Sequence, residues 1–262
     1  MILQRGAANF TNINSDINIL VGLSDFRLAG FLLQKNSHTE VEEQANAIVS
    51  GIKTQKSLKR FEKAIQTTLI HFINPSVEAL VHSVLLGDRN EQEISRALFW
   101  NASFNNELMD YLNRNLYFPA LYGGRAAIKS DESLACLQDL KHTESALQNW
   151  SDDTIRTTAR KYLSLLKKFD LMQGGVKKTL SNPAINDHLL ILFVYWLAAV
   201  EPNANLLESR WLIYSFMEKE LFVQLVMQKK FMKFWNVTYS GDKLRLEPTL
   251  KYEELYDELA QS

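Results

Sequence analysis

Arg156, Arg160, Lys161, Lys167 and Lys168 recur through a stretch in which Ile155, Ala159, Tyr162, Leu166 and Phe169 take the complementary positions. Set at about 100° per residue, the apolar residues line one face of a helix that starts at Ser151. The five cations lie opposite, with Thr157 and Ser164 among them. Clustered guanidinium and ammonium groups neutralise phosphates. Small hydroxyls beside them reach phosphate oxygens or base edges. Gln173-Gly174-Gly175 then reads as a turn, and residues 176–180 as a short strand carrying Lys177 and Lys178. Seven cations against Asp152, Asp153 and Asp170 give this stretch a net charge of +4. Helix, glycine turn and basic strand is the order of a recognition helix followed by a wing. A solvated amphipathic face gives the same stripes, and winged helices also bind proteins, so both readings stay open on these residues.

The pattern returns near the C-terminus. Residues 206–217 and 218–231 are expected to be helical. Val237-Thr238-Tyr239, the turn Ser240-Gly241-Asp242 and Lys243-Leu244-Arg245-Leu246-Glu247 follow as a hairpin ended by Pro248. Leu244 and Leu246 face one side of it, and Lys243 and Arg245 the other. Lys229, Lys230, Lys233, Lys243 and Arg245 against Asp242 again give +4. Phe231, Phe234, Trp235 and Tyr239 lie between these cations; packing beneath the hairpin is the expected role for most, and stacking on nucleic acid the alternative.

The signatures of covalent chemistry are missing. There is no Gly-x-x-x-x-Gly-Lys-Ser/Thr phosphate loop and no Gly-x-Ser-x-Gly elbow. His38, His71, His82, His142 and His188 are scattered without metal-ligand spacing, and Cys136 is the single cysteine. Gly123-Gly124-Arg125 reads as a turn between helices. Asn74-Pro75-Ser76-Val77 and Asn182-Pro183-Ala184-Ile185 lack the second proline and the aromatic ring of an amino-methyltransferase motif. No catalytic residue, metal or cofactor is expected.

The elements that must hold the two basic segments are helical. The 262 residues are 46% hydrophobic and 23% charged, which excludes a disordered chain; five prolines and ten glycines favour long helices over a many-turned sandwich. Net charge is −1, so any nucleic-acid surface must be local. Helices are expected from Ser24-Asp25 to about 34, over 40–49 with Gly51 as cap, 56–72, from Asn74-Pro75 to Gly87, 91–101 and 105–115. An aromatic loop is expected over 116–125. The run 189–200 is too short for a bilayer, which takes roughly 20 residues, and reads as a core helix. Tyr252, Leu255, Tyr256 and Leu259 give the tail an apolar face opposite Glu253, Glu254, Asp257 and Glu258. The expectation is an all-α globular helical array with two winged helix-turn-helix-like elements and short β wings. It divides into an irregular lead-in (1–20), an N-terminal helical domain (21–125), the first basic element (126–185) and a C-terminal region with the second (186–262). A lone cysteine and a start without a long apolar core suit the cytoplasm.

Leu85-Leu86-Gly87-Asp88, Ala97-Leu98-Phe99, Asn106-Glu107-Leu108, Trp150-Ser151, Thr154, Lys161-Tyr162-Leu163 and Leu171 together resemble the BrxA family, a core component of BREX (bacteriophage exclusion) defence systems. The likeness covers roughly residues 20–185. It implies an all-helical fold with two helix-turn-helix elements flanking a positive surface. It also implies double-stranded DNA binding and a place beside a site-specific DNA methyltransferase and other defence proteins, with the methylation chemistry in the partner. The chain is expected to be a monomer that makes no membrane contact. The alternatives are a protein scaffold within the defence complex and a helical RNA-binding protein.

Overall fold

The computed structural model describes residues 10, 13–35, 52, 54–87 and 90–260. Helix accounts for 61% and strand for 7%, which makes the fold all-α with two small antiparallel sheets. In chain order the helices are α1 (Ile17–Leu20), α2 (Arg27–Lys35), α3 (Gln55–Ala64), α4 (Pro75–Leu86), α5 (Glu91–Asn105), α6 (Glu107–Leu112), α7 (Phe118–Tyr122), α8 (Ser130–Thr143), α9 (Ser145–Gln148) and α10 (Asp152–Lys168). The first sheet, β1 (Met172–Gln173) with β2 (Thr179–Leu180), follows α10. Then come α11 (Asp187–Val200), α12 (Lys219–Val226), the hairpin β3 (Trp235–Tyr239) with β4 (Leu244–Pro248), and α13 (Leu255–Ala260).

The most apolar run becomes α11, whose residues from Leu189 to Leu197 are all buried. A helix apolar on every side must sit inside, and α11 packs against α4, α5 and β4. Trp196 meets Trp211 edge-on at 5.8 Å, and Phe193 meets Trp100 at 5.3 Å. None of the described helices is long and apolar enough to cross a membrane.

Local chemistry explains many of the helix starts. Asn74 Oδ1 accepts from Val77 N at 3.0 Å with Pro75 in the first turn, and Val77, Leu80, Val81, Val84 and Leu85 are buried as their spacing predicts. Asn106 Oδ1 accepts from Met109 N, Asn186 Oδ1 from Leu189 N and Ser151 Oγ from Thr154 N.

Other expectations fail for tertiary reasons. Residues 17–20 of the expected irregular lead-in form α1, because Ile17 and Leu20 are fully buried. The expected helix over 56–72 stops at Ala64 and widens into a π turn, Ile65–Leu69. The expected aromatic loop is a π turn, Asn113–Tyr117, running into α7, with Leu116, Tyr117 and Phe118 buried. Phe118 packs edge-on against Tyr214 at 4.9 Å, and that burial turns a loop-like composition into helix. Residues 206–217 are turns plus a 3₁₀ segment, Leu212–Ser215, and the following helix is only Lys219–Val226. The tail helix begins at Leu255, with Leu255, Tyr256 and Leu259 buried. The helix expected over 40–49, with Gly51, and also His38 and Asp88, lie outside the described residues.

Candidate nucleic-acid interface

Helices α8, α9 and α10 lead into the β1–β2 hairpin. Ser133 Oγ donates to Ala159 O at 3.1 Å across the buried α8–α10 contact. The hairpin is short: Met172 pairs with Leu180 and Gln173 with Thr179. Ala127 bridges Thr179 on its other side, and Leu180 N donates to Ala126 O at 2.9 Å. The basic helix is therefore followed by a short ribbon whose second strand is paired on both sides.

The polar side of α10 splits in two. Arg156, Arg160 and Lys167 are exposed. They fall within about 40° of one another around the axis. Among the described residues none has an ion pair. Thr157, Lys161, Ser164 and Lys168 form the neighbouring strip, and all four are half-buried. Helix α1 and the chain after it lie against this strip. Lys161 Nζ donates to Asn18 O at 2.8 Å, and Asn18 Nδ2 donates to Thr158 Oγ1 at 2.8 Å. Lys168 Nζ donates to Leu23 O, and burial pushes its pKa down. Ser164 Oγ turns back to Arg160 O. Lys161 and Lys168, expected on the solvent side, thus hold the N-terminal segment onto the helix. Their stems are long enough to reach carbonyls while lying along apolar surface.

Lys177 and Lys178 are also displaced from expectation. They lie in the turn between β1 and β2, not on a strand, with Lys177 exposed and Lys178 half-buried. The turn is fixed to the exposed strip, since Lys167 Nζ donates to Gly174 O at 2.8 Å. Five cations, Arg156, Arg160, Lys167, Lys177 and Lys178, therefore come from one helix and the turn tied to it.

The second basic element is less free. Lys229 and Lys230 sit in a 3₁₀ turn, Lys229–Phe231. Lys230 Nζ pairs with Asp187 at 2.5 Å, and Lys233 Nζ with Glu258 at 3.4 Å. Lys243 and Arg245 are exposed while Leu244 and Leu246 are buried, as the alternation predicts. Phe231, Phe234 and Trp235 pack beneath the hairpin, where Trp235 Nε1 donates to Val226 O; Tyr239 stays exposed.

One basic strip went unnoticed in the sequence. Lys56, Lys59, Arg60 and Lys63 of α3 are all exposed at helical spacing. Helices α3 and α10 both pack on α1. The spacing of these four cations is legible in the sequence as one side of an amphipathic helix.

Buried polar groups serve the fold. Arg96, 1% exposed, donates to Phe169 O and so holds the C-terminal end of α10. Asp110 accepts from Arg114 Nε and Tyr214 Oη, each at 2.7 Å, and pairs with Arg210. Glu93 accepts from Tyr256 Oη at 2.8 Å and lies 3.3 Å from His188 Nδ1. Among the described residues no group of three or more His, Cys, Asp or Glu could hold a metal ion. A cleft of about 1020 Å³ opens between α2, α5 and the end of α10. Its Arg27, Lys167 and Lys168 are matched by Asp25, Glu91 and Asp170, so it carries no net charge to attract an anion.

No family model and no curated protein matches the chain. A crystal structure of an uncharacterized protein from Magnetospirillum magneticum is similar in fold, with a TM-score of 0.51 at 16% identity over 72% of this chain and 97% of that one.

Proposed function

We propose that this chain is a non-enzymatic double-stranded DNA-binding protein, with α8 to α10 and the β1–β2 hairpin acting as a winged helix-turn-helix. The supporting observation is the set Arg156, Arg160, Lys167, Lys177 and Lys178, which has no ion pair among the described residues in a chain of net charge −1. Some lysines elsewhere are paired, as Lys141 is with Asp152 and Lys230 with Asp187; what sets this group apart is that its five cations come from one helix and the turn tied to it. Cations left unpaired on one helix and its turn suit a partner that brings its own negative charge, and phosphate does so. The motif resemblance extends the proposal to an accessory role in a BREX phage-defence system, beside a partner that methylates DNA.

The test is fluorescence anisotropy with an unrelated duplex. Arg156→Glu with Arg160→Glu is expected to weaken binding at least tenfold while the helical circular-dichroism signal stays unchanged. Unaltered affinity would remove this surface from the proposal. The second element supports a different partner. Leu221, Met227 and Met232 are 46%, 43% and 39% exposed beside its lysines, and such side chains, joined into one apolar patch, would mark a protein contact. A stoichiometric complex captured without measurable duplex affinity would replace the DNA reading with the scaffold one.

A further inference from the structure

Val176 is 106% exposed, whereas the other large exposed apolar side chains lie between 38% and 53%. It stands at the tip of the turn between β1 and β2, with Gly174 and Gly175 before it and Lys177 and Lys178 after it. The turn is preorganised. Gly174 has φ +94°, and a Cβ there would sit 2.3 Å from Lys177 O, so the backbone path requires glycine. Both strands are paired at the base, and Lys167 Nζ holds Gly174 O from the exposed strip of α10. A branched apolar side chain is thus presented to solvent on a rigid mount, between cations, next to the proposed phosphate-binding helix.

We infer that this turn enters the minor groove of duplex DNA, with Val176 against the groove and Lys177 and Lys178 on the flanking phosphates. The inference rests on the DNA-binding reading above. A helix seated in the major groove is separated from the adjacent minor groove by one sugar–phosphate backbone, which a turn leaving its end would cross. Minor-groove binders insert apolar side chains there and kink the duplex. A G·C pair places the guanine N2 amino group in the groove floor, where valine offers no acceptor. The contact therefore favours A·T-type grooves.

The experiment compares three duplexes of one length, alternating A·T, alternating G·C and alternating I·C. Inosine removes the minor-groove amino group and leaves the major-groove edge like that of guanine. Uniform sequence makes the landing position immaterial. The full chain is expected to bind A·T and I·C alike, and several-fold tighter than G·C. Val176→Ser is expected to bring the three within twofold of one another with an unchanged salt dependence. I·C behaving as G·C would overturn the inference, as would a preference that survives Val176→Ser. Equal binding of all three by the unaltered chain overturns the minor-groove contact alone. No binding to any duplex overturns the DNA-binding reading as well.

Discussion

The salt dependence of duplex binding separates cations that meet phosphate from those that hold the fold. Each neutralised phosphate adds about −0.9 to the slope of log K against log salt. The five cations of α10 and its turn that are free of ion pairs then give a slope of about −4.5, so affinity falls roughly 500-fold between 50 and 200 mM salt. Replacing Arg156 and Arg160 by glutamine should reduce the slope to about −2.7 and the loss over that range to roughly 40-fold. Replacing Lys161 and Lys168 by methionine should leave the slope where it was, because those side chains are half-buried beneath the N-terminal segment and donate to Asn18 O and Leu23 O, whereas Lys167 is exposed. Those two changes should lower thermal stability instead. Anisotropy titrations at four salt concentrations read the slopes, and thermal melts read the stability. A slope that falls by about 1.8 on changing Lys161 and Lys168 would refute the division of the helix into a solvated and a covered strip. A total beyond about −7 would bring in Lys229, Lys243 and Arg245, or the strip on α3.

Further outcomes follow from single groups. Gly174→Ala forces a side chain at φ +94° onto Lys177 O; a left-handed residue costs about 1–2 kcal/mol. The distortion is local to an exposed turn, so duplex affinity should drop while the melting temperature falls by only about 2–8 °C. Asp110→Ala leaves Arg114, 22% exposed and stacked over Trp211, without its carboxylate. Removing one partner of such a pair costs about 3 kcal/mol, measurable by urea unfolding. Two carboxylates set part of the acid limb of stability. Hydrogen bonds from the Arg27 side chain lower Asp25, and the Lys129 backbone N–H lowers Glu132. A carboxylate whose folded pKa is depressed contributes fully above its unfolded value near 4 and loses that contribution as pH falls through the folded value. Asp25→Asn with Glu132→Gln should therefore lower the melting temperature slightly in the neutral range and flatten its fall below pH 4, where variant and parent converge. The effect is small, because surface pairs are worth little.

What the sequence revealed depended on whether the deciding contacts were local. Helix starts at Asn74-Pro75, Asn106 and Ser151 were legible because the cap and the backbone donor it serves lie within three residues. The β3–β4 hairpin was legible because its alternation and turn are contiguous. Helix α7 was not, since Tyr117 and Phe118 are helical only where Tyr214 and Phe216 cover them. The cation strip on α10 shows the same limit within one helix. Periodicity placed Lys161 and Lys168 opposite the core, and nothing near them in sequence signals that residues 18 and 23 lie over them. The exposure of Val176 was equally hidden, because a strand reading of 176–180 gives every second side chain a buried partner.

The pairing of Lys230 with Asp187 and Lys233 with Glu258 limits what the second element contributes to binding, without barring it. Both pairs are about half exposed on each side, and exposed pairs exchange partners at little cost. A phosphate can therefore displace either carboxylate. An amine that is already neutralised releases fewer counterions when it does so, and the freed carboxylate is left beside the duplex. Lys230 and Lys233 should each contribute less to the salt slope than a free cation such as Arg156. A duplex that also reached the second element would draw the whole contribution of an unpaired group from each of Lys229, Lys243 and Arg245, taking the slope from about −4.5 to about −7. A near-neutral chain can in this way carry two basic segments of equal formal charge and unequal affinity for DNA, with the stronger at the helix whose carboxylates are confined to its first turn.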